Sequence, residues 1–152
     1  MKFLIVALIS MSPISELRGG IPTAIFAYKI SPPIAYIFCV AANIVPAVIL
    51  VYSLNWLERF FSSHWLWAKR TLDKIYAKTR KKMSRKFEIY GFIALTLFVA
   101  IPLPITGVWT GAIAANIFGV KPKYAIPFLA LGVAIAGIIV LTASLGIKVN
   151  VR

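Results

Sequence analysis

Residues 14–25 read ISELRGGIPTAI and follow directly on the apolar run FLIVALISMSPI of residues 3–14. Between Pro13 and Pro22 the chain places a carboxylate (Glu16), a guanidinium (Arg18) and two adjacent glycines (Gly19, Gly20). As a helix, residues 3–14 reach about 18 Å, little more than half of a bilayer's hydrocarbon core. The segment therefore meets a break before it is long enough to cross.

The surroundings of this break are those of a membrane protein. Of the 152 residues, 61% are hydrophobic and 14% charged, and the mean hydropathy is +0.88. Soluble domains sit nearer 45–50% apolar and about 25% charged. A chain of this size divided among membrane segments forms one unit, residues 1–152, with no separate soluble domain. Lys2 followed by FLIVALI looks like the start of a signal peptide, but no small-x-small cleavage motif follows, so the segment reads as retained. The single Cys39 reads as a small buried hydrophobe, and no disulfide or zinc site can be built from it.

Two stretches are long enough to cross, residues 33–57 and 122–146, each about 37 Å as a helix. Each contains a proline, Pro46 and Pro127, which membrane helices tolerate where neighbours satisfy the freed carbonyls. Tyr52, Trp56 and Tyr124 suit the interfacial aromatic belt. A second half-length stretch, IYGFIALTLFVAI at residues 89–101, ends at Pro102, Pro104, Thr106, Gly107 and Gly111. After each break the chain turns apolar again, through TAIFAYKI and through VWTGAIAANIFGV. The order is thus the same twice: half-length segment, break, short return leg, proline, long span.

If each half-segment and its return leg form a re-entrant hairpin, each half crosses the membrane once and the halves are inverted. The expected architecture is an all-α integral membrane protein. Its first half, residues 1–57, holds a re-entrant segment 3–30 and a span 33–57. Its second half, residues 89–152, holds a re-entrant segment 89–120 and a span 122–146. A basic amphipathic helix over residues 58–88 joins them. Ten of the 17 Lys and Arg fall between Arg59 and Lys86, against four Asp and Glu in the whole chain. That cluster assigns residues 58–88 to the cytoplasm of a multi-pass cell-membrane protein. Lys121 and Lys123 then fall inside, and Lys2, Lys29, Lys148 and Arg152 outside. The alternative is four ordinary helices joined by surface loops, whose legs of 12 and 9 apolar residues are short for a crossing.

An ionisable residue at membrane depth is costly and marks a functional site, and only Glu16 and Arg18 qualify. The residues after Gly20 read as the start of a helix, with Pro22 in its first turn and free N–H groups that suit an anion. Gly19 and Gly20 admit close approach of a ligand, Arg18 offers a planar fork to a phosphate, and Glu16 either orients Arg18 or exchanges a proton. The second break, residues 101–115, carries no charge. It offers Pro102, Pro104, Thr106, Gly107, Trp109, Thr110 and, just beyond, Asn116, as hydroxyl, amide and backbone groups. Asn43 in the first span is placed to line the same cavity. Inverted-repeat transporters build their sites where two broken segments meet near the midplane.

The run ISELRGGIPTAI, the second break PLPITGVWTGAIAA and the chain length resemble the small multi-drug export proteins. That family is itself similar to the DedA or VTT superfamily of re-entrant-loop membrane proteins. The resemblance covers essentially the whole chain. It implies two opposed re-entrant loops packed with membrane helices and, from DedA members, transport of lipid or lipid carriers linked to proton gradients. Glu16 matches the acidic residue expected in the first loop. The second loop departs from the pattern, since DedA members typically carry arginines there and residues 101–115 carry none.

The expected function is therefore membrane transport of an anionic lipid or lipid-linked phosphate, with proton coupling. Export of drugs by way of Glu16 is the alternative the family name suggests, and a structural or assembly role is another. Arg18 would repel a lipophilic cation, which argues against drug export. Nothing in the sequence forms a nucleophile and base pair, a metal cluster or a nucleotide loop, so no enzyme, metal or cofactor is expected. Membrane lipids are the expected partners, and nucleic acid is not. Two spans are few to enclose a pathway, so a homo-oligomer is expected. Gly132 and Ala136 form a small-xxx-small pair suited to a helix contact.

Overall fold

The computed structural model describes residues 1–64, 85–102 and 106–150, with side chains for residues 1–54, 56, 90–102 and 106–147. It is all-α. The first half-length segment is α1 (Lys2–Met11). Ser12 to Ser15 form the break, and α2 (Glu16–Pro22) runs straight into a π-helical turn, Thr23–Ala27. A long helix, α3 (Pro32–His64), follows. The second half repeats the order as α4 (Arg85–Ala100), α5 (Val108–Ile117) and α6 (Pro122–Asn150). Most of the amphipathic helix expected over 58–88 lies outside the described residues. Among the described residues, its last ones, from Arg85, belong to α4.

The apolar parts of α3 and α6, Pro32–Leu54 and Pro122–Ile147, are each long enough to cross a bilayer and support a multi-pass membrane location. Helices α1 and α5, with ten residues apiece, extend about 15 Å.

Each half-length helix packs on the long helix of its own half, α1 on α3 and α4 on α6. Both return legs reach across the molecule, α2 to α6 and α5 to α3, and the two long helices pack on each other. The pattern of burial along residues 31–47 recurs position by position along residues 121–137. Phe38 and Phe128 occupy matching places in it, and each meets a phenylalanine of the preceding half-length helix. Phe3 lies 5.1 Å from Phe38 and Phe92 lies 4.9 Å from Phe128, ring centre to ring centre. The return legs match too, with one difference. Up to the first residues of the π turn, Leu17 corresponds to Val108, Gly20 to Gly111 and Ala24 to Ala115 in burial. After it, Lys29 corresponds to Gly119, both at positive φ (55° and 67°), and Ile30 to Val120. One extra residue is thus taken up in the first half. The backbone shows where, since Tyr28 N–H bonds Thr23 O and Ile30 N–H bonds Ala24 O, against Phe118 to Ala114 O and Val120 to Ala115 O.

The core is built from small side chains. Ala35, Ala47, Ala112, Ala115 and Ala125 are buried together with Cys39, Ile21, Leu129 and Val133. Between membrane helices the hydrophobic effect gives little, because lipid is as apolar as leucine. Close backbone approach and dispersion must hold the bundle, and alanine and glycine permit both. One polar tie joins the long helices, Tyr36 donating to Ala134 O at 3.1 Å, and another joins α4 to α6, Thr96 donating to Phe128 O at 3.1 Å. The large apolar side chains of Leu4, Leu8, Ile37, Ile49 and Leu131 point outward, as lipid-facing residues do.

Gly132 marks a close approach of α4 to α6, where an added Cβ would lie 2.8 Å from both Thr96 O and Val99 Cβ. Gly132→Val is expected to destabilise the protein by roughly 1–3 kcal/mol through overpacking. Gly91→Ala, which meets nothing within 4 Å, is expected to be neutral. Thermal unfolding of the detergent-solubilised protein measures both, and equal midpoints for the two variants would refute the close packing.

Candidate functional site

The two breaks come together, and each supplies what the other lacks. A helix that ends in hydrocarbon leaves carbonyls without partners, and one that begins there leaves N–H groups bare. At the end of α1, Ser15 Oγ donates to Ile9 O at 2.8 Å, and the Trp109 indole N–H, from the second break, donates to Met11 O at 3.1 Å. Beyond α4, Thr106 Oγ1 donates to Ile101 O at 2.6 Å, and Arg18, from the first break, donates to Thr106 O at 2.6 Å. At the start of α5, the carboxylate of Glu16 accepts the backbone N–H groups of Val108 and Trp109. It thus caps a helix of the other half, at the end where the dipole favours negative charge.

Glu16 sits at the first position of α2 with φ 45°, an unusual conformation for a residue with a side chain. Gly107 is the reason its carboxylate fits. A Cβ on Gly107 would collide with both Glu16 oxygens and lie 2.6 Å from the carboxyl carbon. Arg18, two positions on, supplies the nearby positive charge. Glu16 is 7% exposed, and this charge and these donors are what make its burial tolerable.

Glu16, Arg18, Asn43, Pro102 and Thr106 line one narrow pocket, with Leu17, Val99, Val133, Ala136 and Val140 as its apolar wall. The free space at its centre is about 10 Å³, room for roughly one water. Asn43, on α3, is 1% exposed, and its Oδ1 has no hydrogen-bond partner. Among the described residues, no group of His, Cys, Asp and Glu could hold a metal ion.

The other expected residues fall elsewhere. Helix α2 begins at Glu16 and not after Gly20, so Gly19, Gly20 and Pro22 are helix interior. The Gly19 N–H is used by Ser15 O, and the two glycines admit Ser15, Ile9 and Ser10 side chains. They serve the packing of α1 on α2, and the open helix start belongs to α5. Pro22 precedes the π turn. The Thr110 hydroxyl turns back to Gly107 O at 3.2 Å, and Asn116 lies in the last turn of α5, its Nδ2 buried without a partner. Pro104 lies outside the described residues. The apolar wall and the buried Ser10 beside Cys39 went unsignalled in the sequence, since valines, alanines and serines are ordinary in membrane helices.

Gly107→Ala is expected to push the Glu16 carboxylate off the start of α5 and to cost about 2–3 kcal/mol, the range for a charged hydrogen bond lost in a buried place. In a Glu16→Ala background the same change is expected to cost under about 1 kcal/mol. A double-mutant cycle in detergent measures the difference, and additive costs would separate the two residues.

The chain matches a family model described as "Putative small multi-drug export protein" over residues 16–139. No curated protein and no solved structure matches it. The matched span opens on Glu16, takes in both return legs and the second break, and covers well over half of the sequence. The chain belongs to the small multi-drug export protein family.

Proposed function

We propose that the protein is a membrane transporter for an anionic lipid or lipid-linked phosphate, with Glu16 and Arg18 at its site and a proton as the coupled ion. One observation carries this reading. Backbone N–H groups at the start of α5, bared by Gly107, hold an anion beside a guanidinium in apolar surroundings. Donors that hold a carboxylate in this way also suit a phosphate. Family membership and the two apolar crossing helices support a membrane transport role.

The same contacts support two opposed re-entrant hairpins. Full crossings by all four short legs, beside the two long spans, would put the first break at the cytoplasmic face and the second at the outer face, about 30 Å apart. Contact between Arg18 and Thr106 is hard to reconcile with that distance and follows naturally if both hairpins end near the midplane. The charge distribution then assigns residues 58–88 to the cytoplasm. Membrane lipids are the partners in this reading, and a second copy of the chain helps enclose the path.

The family description favours a second reading, export of drugs with Glu16 exchanging drug for proton. Against it, a cationic drug would have to pass Arg18 and take Glu16 from two N–H groups that already match its charge.

Reconstitution in liposomes separates these readings. Arg18→Ala is expected to slow movement of a fluorescent anionic lipid by about tenfold, the worth of one charge-assisted bond, and to leave a cationic dye unaffected. Unchanged lipid movement would remove the anion reading, and Glu16-dependent dye uptake would establish the second. For topology, Ile14→Cys is expected to react with an impermeant reagent from outside and Ile101→Cys from the cytoplasmic side. The reverse pair would indicate that all four short legs cross fully.

A further inference from the structure

The start of α5 is occupied by the protein's own carboxylate, and this has a consequence for the sign of proton coupling. A phosphate that is to use the Val108 and Trp109 N–H groups must first remove Glu16 from them. As long as Glu16 is ionised, the two anions compete for one pair of donors and repel each other. A proton on Glu16 ends the competition. The carboxyl then has no charge to hold against the helix dipole and has an O–H to donate.

A second observation supplies an acceptor for that O–H. Asn43 is almost wholly buried, lines the same pocket as Glu16, and presents Oδ1 without any donor. A buried acceptor left open in this way is costly unless some state of the protein fills it. Glu16 lines the same pocket, and its carboxyl, once protonated, can supply that donor. Among the described residues, Arg18 is the only other titratable one lining the pocket, and no charged side chain of α3, α4 or α6 lines it.

We propose that Glu16 is a built-in stand-in for the transported anion: proton uptake by Glu16 releases the start of α5 to the anion and moves the carboxyl toward Asn43. Proton and anion therefore bind together and travel in the same direction. For an anion of single charge the pair is electroneutral, since the charge gained at α5 equals the charge neutralised on Glu16. An exchanger for cations would have the opposite sign, because cation and proton would compete for the carboxylate. The inference rests on the anion reading of the site given above.

The test uses the full chain in detergent, in weakly buffered solution with a pH indicator. The probe is a short-chain phosphatidylglycerol, whose phosphodiester keeps one charge across the working range. Binding to the wild type is expected to take up about one proton per probe at a pH where Glu16 is ionised. Glu16→Gln is expected to take up none and to bind the probe about tenfold more tightly at that pH, the worth of one charge-assisted bond. Asn43→Leu is expected to bind the probe with proton uptake only at lower pH. Probe binding with proton release, or with no proton movement, would overturn the coupling while leaving the anion reading in place. No probe binding would overturn both. Should Glu16→Gln fail to fold, the proton count of the wild type still decides the sign.

Discussion

A carboxylate buried in apolar surroundings must be met by donors or by positive charge, and the bond from Glu16 to the start of α5 is where this chain meets that demand. The rest of the centre is arranged around it. Glycine stands at position 107 because a side chain there would occupy the carboxylate's place. Arg18 is at hand to balance the charge and is itself held by Thr106 O. Trp109 gives its backbone N–H to Glu16 and its indole N–H to the end of α1, so one residue closes two open helix ends. A broken helix is normally unstable in lipid. Here two broken helices cap each other, and neither break is self-sufficient.

The remainder of the bundle serves to bring the breaks to the same place. Small residues along α3 and α6 let these helices and the return legs approach closely, and the matched pairs Phe3 with Phe38 and Phe92 with Phe128 seat each half-length helix on its long neighbour. Dispersion between closely spaced backbones then substitutes for the hydrophobic effect that a soluble core would use.

Much of this could be read from the sequence. Half-length apolar segments, Pro and Gly at the breaks and two prolines opening long spans are signals of length and backbone freedom, which composition reveals directly. The repeated order was visible in the same way, although few residues are shared between the halves. Glu16, Arg18, Asn43 and Thr106 stood out because polar groups are rare in so apolar a sequence, and the fold brings them to one pocket. The helix start was misplaced for a physical reason. Adjacent glycines usually interrupt a helix, but Gly19 and Gly20 lie where α1 packs against α2, and there the absence of a side chain matters more than backbone freedom. That Gly107 and not Gly20 faces the anion depends on a contact between residues far apart in the chain, which no local pattern encodes. Valine and alanine wall positions gave no signal because they resemble every other apolar position in these helices.

The π turn of Thr23–Ala27 sets the phase of everything before it. Counting back from the matched positions Ile30 and Val120, an ordinary α-helical return leg would bring Leu17, not Glu16, to the place that Gly107 holds in the other half. A leucine there would leave the start of α5 without an acceptor, and the carboxylate would be turned by about 100° around the helix. Whether a charge or a hydrocarbon meets the second half is therefore decided by the winding of five residues farther along the chain. The site is tuned by helical pitch as much as by the identity of the side chains within it.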